Sequence, residues 1–283
     1  MLSPDNKKFR KQLSEQLSRT WFRRAFSACL LLAGTGYLPS LLAGEWAVGV
    51  GIEYFHWKED IINGLDVTET GQILTASLRY LQTRDAGLVL GYRGKLWGGR
   101  VKYEGSELHN PDIPLSGKSG YAGISNEAQV RWRSAGDHNR LDGVFGMGFD
   151  YWRRSLTVIQ DEDWYVGYLR LGMESGMDDP GNWSAALGVK YPVWTRENAH
   201  LNKIGFDTNP VLEPGYQISV YADLAYRLAT DTQLVLYYDG FRFPSSEEKP
   251  INDLSTGIPI SGTVGQPSST MSIIGIKLEH LIQ

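Results

Sequence analysis

The chain has 283 residues, with 28 Lys and Arg against 32 Asp and Glu and a single Cys. That length admits one large β domain or two ordinary domains. One thiol excludes an internal disulfide and a Cys-ligated metal centre, and a net charge of −4 gives nucleic acid no basic footing.

The first 43 residues differ from the rest. Lys7, Lys8, Arg10, Lys11, Arg19, Arg23 and Arg24 precede an apolar run from Phe26 to Leu38, and Pro39-Ser40-Leu41-Leu42-Ala43 follows. A basic head, a short apolar stretch and a small residue at the cut form a secretory signal, with cleavage expected after Ala43. A membrane anchor fits less well, because Gly34, Gly36 and Pro39 interrupt a run already shorter than the ~20 residues of a spanning helix. Cys29 lies in this segment. Its removal takes seven basic and two acidic residues and leaves a net charge of −9, which further disfavours nucleic acid.

From Gly44 onward no stretch is apolar enough for a spanning helix, and the dominant pattern is alternation with period two, the signature of strands. Over 46–57, Trp46, Val48, Val50, Ile52 and Tyr54 share one face, while Ala47, Gly49, Gly51, Glu53 and Phe55 share the other. Over 71–82, Leu74, Ala76, Leu78 and Tyr80 oppose Thr75, Ser77 and Arg79. Over 86–103, Leu88, Leu90, Tyr92 and Leu96 oppose Gly91, Arg93, Lys95 and Trp97, with Gly98-Gly99 marking a bulge where the faces exchange. Segment 122–134 sets Ala128, Val130 and Trp132 against Glu127, Gln129, Arg131 and Arg133. Segment 140–154 sets Leu141, Phe145, Met147, Phe149 and Tyr151 against Asp142, Gly146, Gly148, Asp150 and Trp152.

Five more segments follow. Over 163–175, Leu169, Leu171 and Met173 oppose Tyr168, Arg170 and Glu174. Over 182–195, Trp183, Leu187, Val189 and Tyr191 oppose Ser184, Gly188, Lys190 and Trp194, and Pro192 is expected to end regular pairing. Segments 216–229, 232–243 and 270–282 complete the set, with Tyr221, Asp223, Arg227, Tyr237, Asp239, Lys277 and Glu279 on their polar faces. The links at 83–85, 135–139, 176–181 and 230–231 are tight. Those at 58–70, 104–121, 155–162, 196–215 and 244–269 are mostly long and rich in Gly, Pro, Ser, Asn and charge.

Ten alternating segments with alternating link lengths and an export signal resemble the bacterial outer-membrane β-barrel superfamily over essentially all of 44–283. The resemblance implies an all-β closed antiparallel barrel of about ten strands, with short periplasmic turns and long extracellular loops. Nine Trp, fifteen Tyr and nine Phe suit the aromatic girdles of such a barrel. A twelve-stranded barrel, with a hairpin hidden in 196–215 or 244–269, is the alternative. The chain ends in Leu281-Ile282-Gln283, without the terminal aromatic common in that class. Ten strands also resemble the omptin surface proteases in shape, but their aspartate pair and Asp–His pair are not carried over.

The polar face supplies the candidate binding residues: Glu53, Arg79, Arg93, Lys95, Glu127, Arg131, Asp150, Arg170, Lys190, Asp223 and Lys277. Both signs are present, so they form either a plug of ion pairs or a narrow polar path for a small solute. The plug is the leading expectation, because barrels of this size are filled by side chains. Phe55, Trp97, Trp152, Trp194, Tyr221 and Tyr237 are expected to narrow any path. Near the extracellular strand ends, Arg100, Lys102, Arg153, Arg154, Arg196 and Arg242 are candidates for outward contacts to lipopolysaccharide phosphate. The five His have no metal-ligand spacing. A site combining His56, Glu59 and Asp60 with Asp161-Glu162-Asp163 across the mouth is the one hydrolytic or cation-binding option. The expected partners are outer-membrane lipid and lipopolysaccharide, the barrel-assembly machinery and small solutes, with no cofactor. Channel and surface-interaction roles lead, and a surface hydrolase is a distant third.

Overall fold

The computed structural model describes residues 44–282 apart from 63, 84–85, 108–109, 134–139, 157–159 and 177–182. The expected signal at 1–43, most of the tight turns at 83–85, 135–139 and 176–181, His109 and His138 therefore lie outside the described residues. Twelve strands follow in order: β1 (Gly44–Asp60), β2 (Val67–Gln82), β3 (Gly87–Glu107), β4 (Asn110–Arg133), β5 (Arg140–Ser155), β6 (Asp161–Gly176), β7 (Trp183–Asn198), β8 (Ser219–Ala229), β9 (Thr232–Phe243), β10 (Lys249–Asp253), β11 (Ile260–Val264) and β12 (Ser268–Ile282).

Ten of these form one closed antiparallel barrel, each neighbouring pair consecutive in the chain except β9 with β12 and β1 with β12. Closure comes from β1 and β12, paired from Trp46 opposite Ile282 to Asp60 opposite Ser268. In such a wall every strand has two partners, so no row of backbone N–H and C=O groups faces lipid unpaired. The period-two pattern becomes inside and outside. Val50 and Leu74 on the outer face are each 67% exposed, whereas Glu53 and Phe55 on the inner face are fully buried.

Aromatic pairs border the apolar outer band. Trp46 packs on Tyr80 and Trp183 on Tyr226 at the turn end, and Phe149 packs on Trp194 and Tyr151 on Tyr165 at the loop end. Trp46 and Tyr54 are eight residues apart, about 26 Å along a strand, enough for the ~25 Å apolar band of such barrels once tilt is allowed for.

Four local expectations are corrected. No register shift occurs at Gly98-Gly99, and Trp97 and Val101 on either side both point inward. Residues 104–107 and 110–121 are strand rather than loop. β3 and β4 extend beyond the membrane as a paired ribbon, whose polar residues carry no apolar alternation because neither lipid nor a core selects for it. Pro192 does not end β7. Pairing with β6 continues to Asn198, although pairing with β8 stops at Lys190 and Ser219. The register of that β6–β7 pair shifts so that Gly167 faces Trp194 and Tyr168 faces Pro192, which makes Val193 an extra residue. The bulge turns Trp194 outward, 41% exposed, rather than into the lumen.

The segment 244–269 does hide a hairpin, but β10 and β11 form a separate two-stranded sheet outside the ten-stranded wall. Ile251 of that hairpin packs with Ala199 and Leu201 of the preceding loop, joined by Ile204, Phe206 and Val264. Asn252 donates to Asp207 at 2.6 Å, and the Leu254 N–H to the Gly205 carbonyl at 2.7 Å. The two longest loops thus make a small built platform at the loop end.

Candidate functional site

β5 ends in Tyr151-Trp152-Arg153-Arg154, and adjacent residues of a strand point to opposite faces. Trp152 and Arg154 go inward, while Tyr151 and Arg153 go outward. Arg154 Nη1 donates to Glu59 at 2.7 Å and Glu162 at 2.9 Å, and its Nη2 and Nε donate to Glu69 at 3.0 and 3.2 Å. One guanidinium therefore ties β5 to β1, β2 and β6 across the mouth. Ser119 and Tyr121 hydroxyls also donate to Glu69, and the Trp57 indole N–H donates to Glu59 at 2.7 Å.

Negative charge exceeds positive here, since Glu197 is buried close by. Burial, reinforced by Glu162 and Glu59, pushes the Glu197 carboxyl well above the ordinary carboxylate range. Burial likewise raises Glu162 despite the attraction of Arg154. On the outer side of the same rim, burial would raise Asp163. Hydrogen bonds from Arg153, His200 and Tyr151 outweigh that and hold it at about 2.

Directly beneath Arg154 lies an aromatic slab. Trp152 stacks on Trp164 at 5.4 Å with an interplanar angle of 8°, Trp57 meets Trp164 edge-on at 5.1 Å, and Phe243 lies 5.4 Å from Trp164. Trp57, Trp152, Trp164, Phe241 and Phe243 are at most 1% exposed. The apolar cluster to which they belong draws side chains from every barrel strand but β7, so it spans the cross-section of the lumen. Sequence reading picked out Phe55, Trp97 and Trp152 but missed Trp57, Trp164, Phe241 and Phe243. The available signal was the aromatic at alternate inward positions near the loop ends of β1, β6 and β9.

On the turn side of the slab the lumen is polar. All eleven candidate residues point into it or line it. Lys95 pairs with Glu53 at 2.8 Å, and Tyr237 donates to the same carboxylate. Lys190 donates to both Asp239 oxygens at 3.0 Å and sits 3.8 Å over the Phe241 ring, with Asp150 at 3.9 Å. Arg93 and Arg170 converge on Asp223 at 3.0 and 3.4 Å. Arg170 lies 3.4 Å over the Tyr221 ring and 3.6 Å from Glu127. Arg131 pairs with Glu174 at 2.7 Å, while Arg79 and Lys277 both meet Glu279, at 3.7 and 2.6 Å. A cavity of about 150 Å³ remains among them, lined by five cations and six carboxylates.

The six outward candidates divide. Arg100, Lys102 and Arg242 are exposed on the outer wall. Arg153 is outward but bonded to both oxygens of Asp163, at 2.8 and 2.9 Å, and Arg196 lies 3.6 Å from Glu213. Arg154 is a correction. It is buried inside, since two adjacent strand residues cannot both face lipid. The mouth site is corrected too. Glu59 and Glu162 do meet, but around Arg154, and His56 lies on the opposite face of β1 with Tyr54 and Lys58. The Asp–His contact among the described residues that joins barrel and loop, His200 to Asp163 at 2.8 Å, lies on the outer rim within an ion-pair network rather than in a cleft.

A closed antiparallel wall with an apolar, aromatic-bordered exterior and an ionic interior defines a transmembrane β-barrel of the bacterial outer-membrane class. No protein-family model and no curated protein sequence matches the chain. Among solved structures, it is similar to the outer membrane protease OmpT of Escherichia coli at 9% identity, covering 85% of this chain and 97% of that one with a TM-score of 0.49. It is also similar to OprG of Pseudomonas aeruginosa at 10% identity, 85% and 97% coverage and a TM-score of 0.37. A third is the translocator domain of the autotransporter NalP of Neisseria meningitidis, at 14%, 94% and 97% with a TM-score of 0.35.

Proposed function

We propose that this is a sealed outer-membrane barrel whose role is exercised at the cell surface, as a structural or partner-binding protein, rather than as an open solute channel. The observation that carries the reading is the aromatic slab. Trp57, Trp152, Trp164, Phe241 and Phe243 close the lumen beneath the Arg154 cluster, leaving no water-filled cross-section at that level. Below it Lys95, Arg131 and Lys190 are each paired with a carboxylate at 2.7 to 3.0 Å, as expected of a filled interior rather than a conduit. The platform of β10, β11 and the 199–215 loop, with Leu254, Ile258 and Ile260 exposed, is the surface offered to a partner.

Planar-bilayer recording on purified, folded protein tests the reading. Absence of steps over a range of salts is the expected result. Steady ion-selective steps that shift with Arg93→Gln, Arg131→Gln or Asp150→Asn would overturn it in favour of a narrow small-solute channel.

A further inference from the structure

We infer that the outer wall of β3 and β4 carries a binding site for a phosphorylated lipid of the surrounding leaflet. Lys102 and Lys118 are directly opposite in the β3–β4 ladder, and Arg100 lies two residues below Lys102 on the same outward face. Like charges opposed across a ladder are destabilising unless an anion lies between them. Lys102 has Glu104 at 2.5 Å, whereas Arg100 and Lys118 have no carboxylate partner among the described residues. By contrast, Lys58, Arg153 and Arg196, at the same end of the barrel, are each paired with a carboxylate.

The wall beneath these cations is shaped for the rest of such a lipid. Arg100 stands opposite Gly120, and Gly98 stands opposite Ala122, so small residues leave a shallow recess below the cations. Leu74, Leu96 and Ile124 then continue the face into the apolar band, 67%, 59% and 37% exposed. Cations at the membrane surface, a recess and an aliphatic strip, in that order, complement a phosphate, its attached sugar or glycerol, and an acyl chain. Lys and Arg bind phosphate by charge-assisted hydrogen bonds, and neutralising two otherwise unpartnered cations supplies the selectivity for an anionic lipid.

The test is native mass spectrometry of the full-length protein in neutral detergent, titrated separately with a diphosphorylated glycolipid, its dephosphorylated counterpart and inorganic phosphate. The wild type should retain the phosphorylated lipid and neither of the others. The double variant Arg100→Gln, Lys118→Gln should weaken retention at least tenfold. Arg242→Gln, an equally outward cation four strands round the wall, should change it less than twofold. Both substituted side chains are exposed, and circular dichroism checks that the barrel is intact. Unchanged retention by the double variant, or equal retention of the dephosphorylated lipid, would overturn the site. Equal retention of inorganic phosphate would overturn the lipid as its occupant.

Discussion

Arg154 and Glu69 are 85 positions apart in the chain, yet they meet at 3.0 Å inside the mouth of the barrel, where the same guanidinium also holds Glu59 and Glu162. The indoles of Trp57 and Trp164 hydrogen-bond to two of those carboxylates. The ionic cluster and the aromatic slab therefore form one unit.

Replacing Arg154 by Met should leave three buried carboxylates without their cation. Breaking a buried ion cluster by removing one partner costs about 3 to 5 kcal/mol. Urea unfolding in detergent should show a loss of unfolding free energy of that size, while Arg196→Met, at a half-exposed rim pair, should lower it by less than about 1 kcal/mol.

The slab makes a separate prediction about permeability. Trp152→Ala combined with Trp164→Ala removes the stacked pair at its centre. Loss of each buried indole costs about 3 to 5 kcal/mol. In the fraction that remains folded, bilayer recordings should change from silence to measurable steps. Continued silence would place the barrier in the ion-pair layers below.

Glu197 should make stability depend on pH. Its folded carboxyl lies well above the ordinary 4.5, so the folded state binds more protons than the unfolded state and stability falls as pH rises from about 4.5 toward the raised value. Glu197→Gln removes that loss. The variant should match the wild type near pH 4 and exceed it at pH 7, as urea unfolding at the two pH values would show. Asp163 acts in the opposite sense. Held at about 2 against an ordinary 3.8, it contributes fully above about pH 4, and its contribution is lost as pH falls through 2.

Gly275 should not tolerate a side chain. A Cβ there would lie 2.2 Å from the Tyr237 ring, whose hydroxyl is committed to Glu53. Gly275→Ala should cost about 1 to 3 kcal/mol through overpacking. Gly143→Ala, with nothing within 4 Å of the added carbon, should be neutral or slightly stabilising. Thermal unfolding of the two variants compares them directly.

Much of this was legible in the chain. Alternation alone assigned Val50 to lipid and Glu53, Arg93 and Lys190 to the lumen, because a strand residue's side is set by parity. Alternating link lengths implied a meander of ten strands. Parity also placed Arg154 inward with Trp152. Reading Arg153 and Arg154 as a basic pair at a strand end overrode that local rule.

The sequence by itself determined that the protein is a barrel with a polar interior, because lipid outside and polar groups inside impose a period-two pattern that each strand displays independently. Only the tertiary structure decided that an aromatic slab gathers across the lumen, which carboxylates Arg154 holds, and that the bulge at Val193 turns Trp194 to the outside. Those outcomes depend on register and on contacts between strands far apart in the chain. Such distances exist only once β1 has closed on β12.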